Sequence, residues 1–111
     1  MIRKLYLGLA LCLAMTVPAT AADYPDKPVR IVVPFPPGGT SDVLARIVAT
    51  GLSERMGQQF VVDNRPGASG VIGTSMVAKA EPDGYTLVFA TINTHGINAS
   101  LFPNLPYDPV K

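Results

Sequence analysis

A chain of 111 residues holds one small domain at most. Its 9 Lys+Arg against 8 Asp+Glu give a net charge of +1, which excludes the basic field that draws nucleic acid or an anionic membrane surface. Its single cysteine excludes an internal disulfide, and with it a small cystine-stapled module.

The first segment stands apart from the fold. Arg3 and Lys4 precede an apolar run from Leu5 to Val17, too short to span a bilayer comfortably, and Ala19-Thr20-Ala21 has the small-x-small form of a cleavage site. Residues 1–21 are expected to be a secretory signal peptide, cut after Ala21 or Ala22, rather than an uncleaved anchor. Lipoprotein processing at Cys12 is disfavoured, because bulky Leu11 stands where a small residue belongs. Cleavage removes two basic residues and Cys12, leaving 7 Lys+Arg against 8 Asp+Glu, a net charge of −1 and no thiol. An exported chain without cysteine suits a bacterial periplasmic domain held by an apolar core. It has no Cys-based zinc site and no thiol nucleophile.

Residues 22–28 are a polar, proline-punctuated lead-in. Val29 to Phe35 reads as the first strand, and its near-continuous apolar character predicts burial on both faces, as in a parallel sheet. Pro36-Pro37-Gly38-Gly39 then turns the chain into Thr40-Ser41-Asp42. Strand, tight loop and helix start present bare backbone N–H groups to an anion. The first helix is expected over Asp42 to Met56, with Leu44, Ile47, Val48, Gly51, Leu52 and Met56 as its core-facing stripe and Gly57 as its left-handed stop. A Thr40 or Ser41 hydroxyl is expected to cap it, at about 1 kcal/mol. Asp42 sits at the positive end of the helix dipole and reads as a structural cap, because its charge would repel an acid.

The plan then repeats. Phe60 to Asn64 is the second strand and Pro66-Gly67-Ala68-Ser69-Gly70 the second loop. The second helix starts near Gly70 or Val71 and carries Ile72, Met76, Val77 and Ala80. Glu81-Pro82-Asp83-Gly84 has the type I turn pattern. Tyr85 to Ala90 is the third strand, and Thr91 to His95 the third loop. A short helical turn is expected over Asn98 to Leu101, and Pro103, Pro106 and Pro109 exclude regular helix beyond it. A β-α-β-α-β order with short connections predicts an α/β fold, a parallel sheet with right-handed crossovers. Ligands of such sheets sit at the carboxyl ends of the strands, where all three loops lie.

Other chemistries fit less well. Gly67 to Gly73 reads G-x-x-G-x-x-G, not the dinucleotide fingerprint, and no acid ends the third strand. Ser41, Asp42 and His95 lack the nucleophile elbow of a hydrolase. With one histidine and no carboxylate pair at ligand spacing, no metal site is expected. Arg65 either meets a substrate carboxylate or pairs with Asp63. Tyr85, Phe89 and Phe102 read as packing residues.

Five blocks occur in order: Tyr24-Pro-Asp-Lys-Pro28, Ile31 to Asp42, Asn64-Arg-Pro-Gly-Ala-Ser-Gly70, Pro82-Asp-Gly-Tyr85 and Leu105-Pro-Tyr-Asp-Pro109. Together they closely resemble the substrate-binding proteins of tripartite tricarboxylate transporters, the Bug-type extracytoplasmic solute receptors. The resemblance implies a periplasmic binding protein-like (type II) lobe in residues 22–111, the N-terminal part of a two-lobed protein whose second lobe is largely missing. It implies a receptor that captures a small organic carboxylate and delivers it to membrane permease subunits. No catalysis, cofactor or nucleic-acid partner is implied, and the full-length protein is expected to be a monomer. By position it points to Gly38, Gly39, Thr40 and Ser41 in the first loop, Ala68 and Ser69 in the second, and Thr91, Asn93 and His95 in the third. Family members are much longer, so the chain is expected to be a fragment of a longer product or a truncated inactive copy. An exported α/β hydrolase fragment stays open as an alternative.

The first two loops carry no Lys, Arg or His between Pro36 and Ser41 or between Pro66 and Gly70. Two helix N-termini supply an anion with about 1–4 kcal/mol. Micromolar affinity needs about 8 kcal/mol. The difference must come from hydrogen bonds and from closure by another lobe.

Overall fold

The computed structural model describes residues 21–111, so nearly all of the expected signal peptide, Cys12 included, lies outside the described residues. Strand β1, Val29–Val33, is buried at every position except Arg30. It is the middle of a three-stranded parallel sheet of order β2-β1-β3, with β2 at Phe60–Asn64 and β3 at Thr86–Val88. The register runs from Val29 opposite Phe60 to Val33 opposite Asn64 on one side, and from Arg30 opposite Thr86 to Val32 opposite Val88 on the other. A central strand is covered on both faces, which is why β1 carries an unbroken apolar run.

Helix α1, Thr40–Met56, packs on β1 and β2, whereas α2, Val71–Ala78, packs on β1 and β3. The crossovers run in opposite directions across the sheet, from β1 out to β2 and then from β2 back over β1 to β3, and right-handed crossovers of opposite sense put the two helices on opposite faces. Val29, Ile31, Ala49 and Phe60 form the core on the α1 side, with Leu52, Val62, Tyr85, Leu87 and Phe89 packed around them. Each fully buried Val or Phe there contributes about 1.5–3 kcal/mol.

The expected strand and helix order is observed, but the helix faces are not the expected ones. On α1 the buried residues are Asp42, Ala45 and Ala49. Leu44, Ile47 and Val48 of the expected core stripe are 48%, 63% and 48% exposed. Alanine at both positions of the sheet-facing row lets the helix axis approach closely, and the bulkier side chains then fall beside the contact line. The far end of α1 is fastened by Ser53, whose hydroxyl donates to Ala49 O at 2.8 Å and accepts from the Phe60 amide at 2.9 Å. Gly57 stops the helix in the left-handed region, at φ +71°, its amide donating to Ser53 O.

Helix α2 departs similarly. It buries Gly73, Thr74 and Ser75, Ile72 is 57% exposed, and Ala80 lies beyond its end. The reason is contact with backbone: a Cβ on Gly73 would stand 2.7 Å from Arg65 O and 2.9 Å from Pro34 Cβ. The turn after α2 closes through the Asp83 amide and Glu81 O at 2.9 Å, not through the expected type I bond to Gly84. The lead-in clasps the start of β3. Tyr24 donates to Gly84 O and stands edge-on to Tyr85 at 5.1 Å, while Lys27 Nζ lies 4.4 Å over the Tyr85 ring. A π-helical segment, Asn93–Ile97, precedes the short helix α3, Asn98–Leu101. Phe102 is exposed, not packed in the core.

Gly73→Ala is expected to destabilise the chain by about 1–3 kcal/mol, because backbone atoms on both sides cannot move aside. Alanine's better helix propensity offsets less than about 1 kcal/mol of that. Urea unfolding checks it; a raised midpoint would contradict the close contact.

Candidate functional site

The parallel register brings the three loops to one end of the sheet, with loop one rising from the central strand. Their meeting point is Gly70, buried at φ +85°. A Cβ there would lie 2.7 Å from Thr94 Cγ2 in loop three and 3.3 Å from Phe35 Cζ in loop one. No side chain fits where the loops converge.

Loop one is held by a polar knot. Gly38 takes φ +87° and its amide donates to Asp42 Oδ2 at 2.9 Å. The Asp42 carboxylate also accepts from Arg46 Nε at 3.1 Å and from Asn64 Nδ2 at 3.0 Å. Asn64 Nδ2 reaches Phe35 O as well, and Asn64 Oδ1 accepts from Arg46 Nη2. These bonds hold the Asp42 carboxyl at about 2, below its ordinary 3.8, the Gly38 amide being the largest cause, then Arg46, then Asn64. The expected Thr40 or Ser41 cap is not made: the N-cap is Gly39, with no side-chain cap bond, and Asp42 reaches back to the preceding turn instead. The first intrahelical bond runs from the Val43 amide to Gly39 O, so the Thr40 and Ser41 amides precede the helix ladder. The Gly38 amide, by contrast, is already engaged.

Loop two is strained. Ala68 and Ser69 take φ of +47° and +57°, a left-handed conformation that costs a non-glycine residue about 1–3 kcal/mol. Such strain persists only where neighbours enforce it, and here two asparagines do. Asn93 Nδ2 donates to Ser69 Oγ at 2.7 Å and to Ser69 O at 3.2 Å. Asn98 Nδ2 donates to the same carbonyl at 2.9 Å. Asn98 is fully buried and also meets the hydroxyl of buried Tyr107, which donates to Thr94 O. Loop three is tied on itself: the Thr91 amide donates to Thr94 Oγ1 at 3.1 Å, and that hydroxyl stands 2.8 Å from His95 Nδ1.

Of the residues singled out from sequence, the structure joins Ser69 directly to Asn93, and Thr91 to His95 through Thr94. Gly39, Thr40, Ala68, Ser69 and His95 are exposed, and Ser41, Thr91 and Asn93 half-buried. Asp42 is bound by Gly38, Arg46 and Asn64, and His95 Nδ1 by Thr94, so no Ser–His–Asp relay is recorded among the described residues. Arg65 Nε pairs with Asp63 at 3.0 Å. Sequence reasoning missed Asn64, Thr94, Asn98 and Tyr107. Only the Asp42–Arg46 spacing of four carried a readable signal. Two surface grooves, of about 650 Å³ around Phe102 to Pro109 and about 510 Å³ between α1 and β2, include none of the loop residues. Residues 36–40 of loop one and 65–69 of loop two are exposed, so these loops form an open surface.

Parallel strands with crossover helices, and loops gathered at their carboxyl ends, define an α/β lobe of the kind that takes ligands at that end. The family model of the tripartite tricarboxylate transporter family receptor matches residues 44–111. Protein BugT of Bordetella pertussis is 46% identical over 94 residues, 84% of this chain and 29% of its own length. A solved R. palustris protein with adipate is 48% identical at a TM-score of 0.76, over 79% of this chain and 29% of that one. MatC from Rhodopseudomonas palustris with bound malate is 40% identical at a TM-score of 0.76, over 79% and 30%. The chain belongs to the tripartite tricarboxylate transporter receptor family, and it spans about three tenths of these relatives' length.

The Asp42 knot sets a pH dependence. A carboxyl held at about 2 when folded and near 3.8 otherwise contributes stability above about 4, which is lost as the pH falls through 2. Asp42→Asn is expected to flatten the fall in urea midpoint between pH 4 and 2. A variant curve parallel to the wild type over that range would contradict the assignment.

Proposed function

We propose that the three loops bind the carboxylate of a small organic acid, in the N-terminal part of a monomeric, two-lobed periplasmic receptor. The receptor then hands the acid to the permease subunits of a tripartite tricarboxylate-type transporter. It is a binding protein and not an enzyme. Residues 1–21 direct its export. Gly39, Thr40, Ser41, Ala68 and Ser69 supply amide and hydroxyl donors, Gly38 shapes the first turn, and Thr91, Asn93 and His95 line the third side.

One observation carries this reading: the uncharged turns of adjacent strands converge on Gly70, with the first-turn amides of α1 outside the helix ladder. The nearest charges are engaged elsewhere, Asp42 with Arg46, and Asp63 with Arg30 and Arg65. An acid held there meets dipoles and hydroxyls, not a fixed counter-ion. It can leave when the lobes part, without breaking a buried ion pair. The adipate and malate held by two solved relatives support the substrate class.

The open surface limits affinity. Calorimetry of adipate or malate with this chain is expected to give a Kd of about 1 mM or weaker, since helix termini alone supply about 1–4 kcal/mol. Micromolar binding would contradict the need for a second lobe. Gly39→Leu tests the site without disturbing the fold, because Gly39 has φ −80° and its Cβ would meet only Pro36 O, at 3.7 Å. Binding is expected to weaken at least about tenfold, two hydrogen bonds' worth, at an unchanged urea midpoint. Unaltered binding would remove loop one from the site.

A further inference from the structure

The two edges of the sheet are built differently. Strand β2 is blunted: its Phe60 amide is taken by Ser53 Oγ at 2.9 Å, and it leads through Asp63 into Arg65. Engaged amides and charges of that kind keep an edge from pairing. Strand β3 has neither device. No charged residue and no proline occurs from Tyr85 to Thr94. Tyr85 O accepts from the Arg30 amide at 2.9 Å and the Phe89 amide donates to Val32 O at 2.8 Å, so residues 85, 87 and 89 turn their backbone toward β1. Alternation along the strand then turns the N–H and C=O groups of Thr86 and Val88 outward. Among the described residues β1 is the only neighbour of β3.

An apolar flank continues this edge on the α1 side. Tyr85, Leu87 and Phe89 pack against the core there and stay half-buried. Along α1, Arg46, Ala49, Thr50 and Ser53 line the groove beside β2. Leu44, Val48 and Leu52, at four-residue spacing, therefore fall on the opposite flank, above β3. Leu44 and Val48 are half-exposed. A segment that covers this place must bring a strand edge and apolar side chains together.

We propose that the open edge of β3 docks a second copy of this chain, the two β3 strands pairing antiparallel about a two-fold axis at Leu87. The charge pattern selects this occupant. The pairing sets Tyr85 opposite the partner's Phe89 and Asp83 opposite the partner's Thr91, so no like charges meet. Thr86 and the partner's Val88 then exchange both of their backbone bonds, and the Tyr85–Phe89 contacts are cross-strand aromatic pairs. Strand β3 and the α1 flank offer about ten residues a side, against about 20–30 in an interface of standard size, so the dimer is weak. The surface is the side edge of the sheet, apart from the loops at its carboxyl ends. The pairing and the carboxylate reading stand or fall separately.

Sedimentation of the chain from about 1 µM to about 0.5 mM checks the pairing, with the mass expected to rise from one copy toward two and no further. Cysteine cross-linking in a Cys12→Ser background checks the register. Leu87→Cys puts two α-carbons about 4.5 Å apart across the axis, within disulfide reach, and is expected to give a covalent dimer under mild oxidation. Thr86→Cys puts them roughly 8–9 Å apart, beyond that reach, and is expected to give none. Val88→Pro removes an outward amide without touching the β1 ladder, and is expected to hold the chain at one copy throughout the range. Should a variant fail to fold, the wild-type masses decide alone. A constant single-copy mass would overturn the proposal. Growth past two copies, equal cross-linking at 86 and 87, or a dimer that Val88→Pro leaves intact would overturn it as well.

Discussion

The bare α-carbon of Gly70 is the constraint around which the site is built. A methyl group there would overlap Thr94 and crowd Phe35, so any side chain would force loops one and three away from loop two. Its positive φ also lets the backbone pass from the left-handed pair Ala68–Ser69 into α2 within one residue. A second close approach supports it: Gly73, one turn later, lies against Arg65 O and Pro34. Strand register carries the loops to one end of the sheet, and these two glycines then decide how near to one another they stand.

Strain and charge are arranged to complementary ends. Ser69 is kept in an unfavourable backbone conformation by two asparagine amides on its carbonyl, with Tyr107 behind them. The strain therefore depends on residues some 24 to 38 positions further along the chain. The charges near the loops are neutralised in pairs that lie beside the rim. The Asp63 pairs, whose arginines are exposed, contribute little individually, about 0.2–1 kcal/mol. The larger effect of all the pairs is on direction: they engage Asp42 and Asp63 beside the loops and leave uncharged turns at the convergence point. Dipoles attract an anion without the depth of a desolvated ion pair.

The open character of the site follows from the same geometry. Among the described residues both outer strands have unpaired edges, and Leu44, Ile47, Val48 and Met56 of α1 are exposed. Exposed edges and apolar rows invite association. On such an exposed surface water competes for every amide the loops present.

Residues 29–33, 60–64 and the Gly-rich turns between strand and helix were legible in the sequence, because local physics fixes them. A continuous apolar run means a strand covered on both faces, and glycine before Thr-Ser-Asp starts a helix. Gly57 at the end of α1 and the Arg65–Asp63 pair were legible for the same reason, being short-range. The faces of α1 and α2 were not. Periodicity marks which residues are apolar, whereas the contact row is chosen by how closely the axis can approach, and Ala45, Ala49 and Gly73 win that choice by being small. Nor could spacing along the chain reveal that Asn98 and Tyr107 hold Ser69, or that Asp42 binds Gly38 and Asn64 in place of a hydroxyl cap. Apart from the local Gly38 contact, those partners lie 22 to 38 residues apart and meet only once the sheet is formed. The sequence by itself determined the elements, their order and the neutrality of the loops; tertiary packing alone decided which side chains meet where the loops converge, because that depends on distances no local pattern encodes.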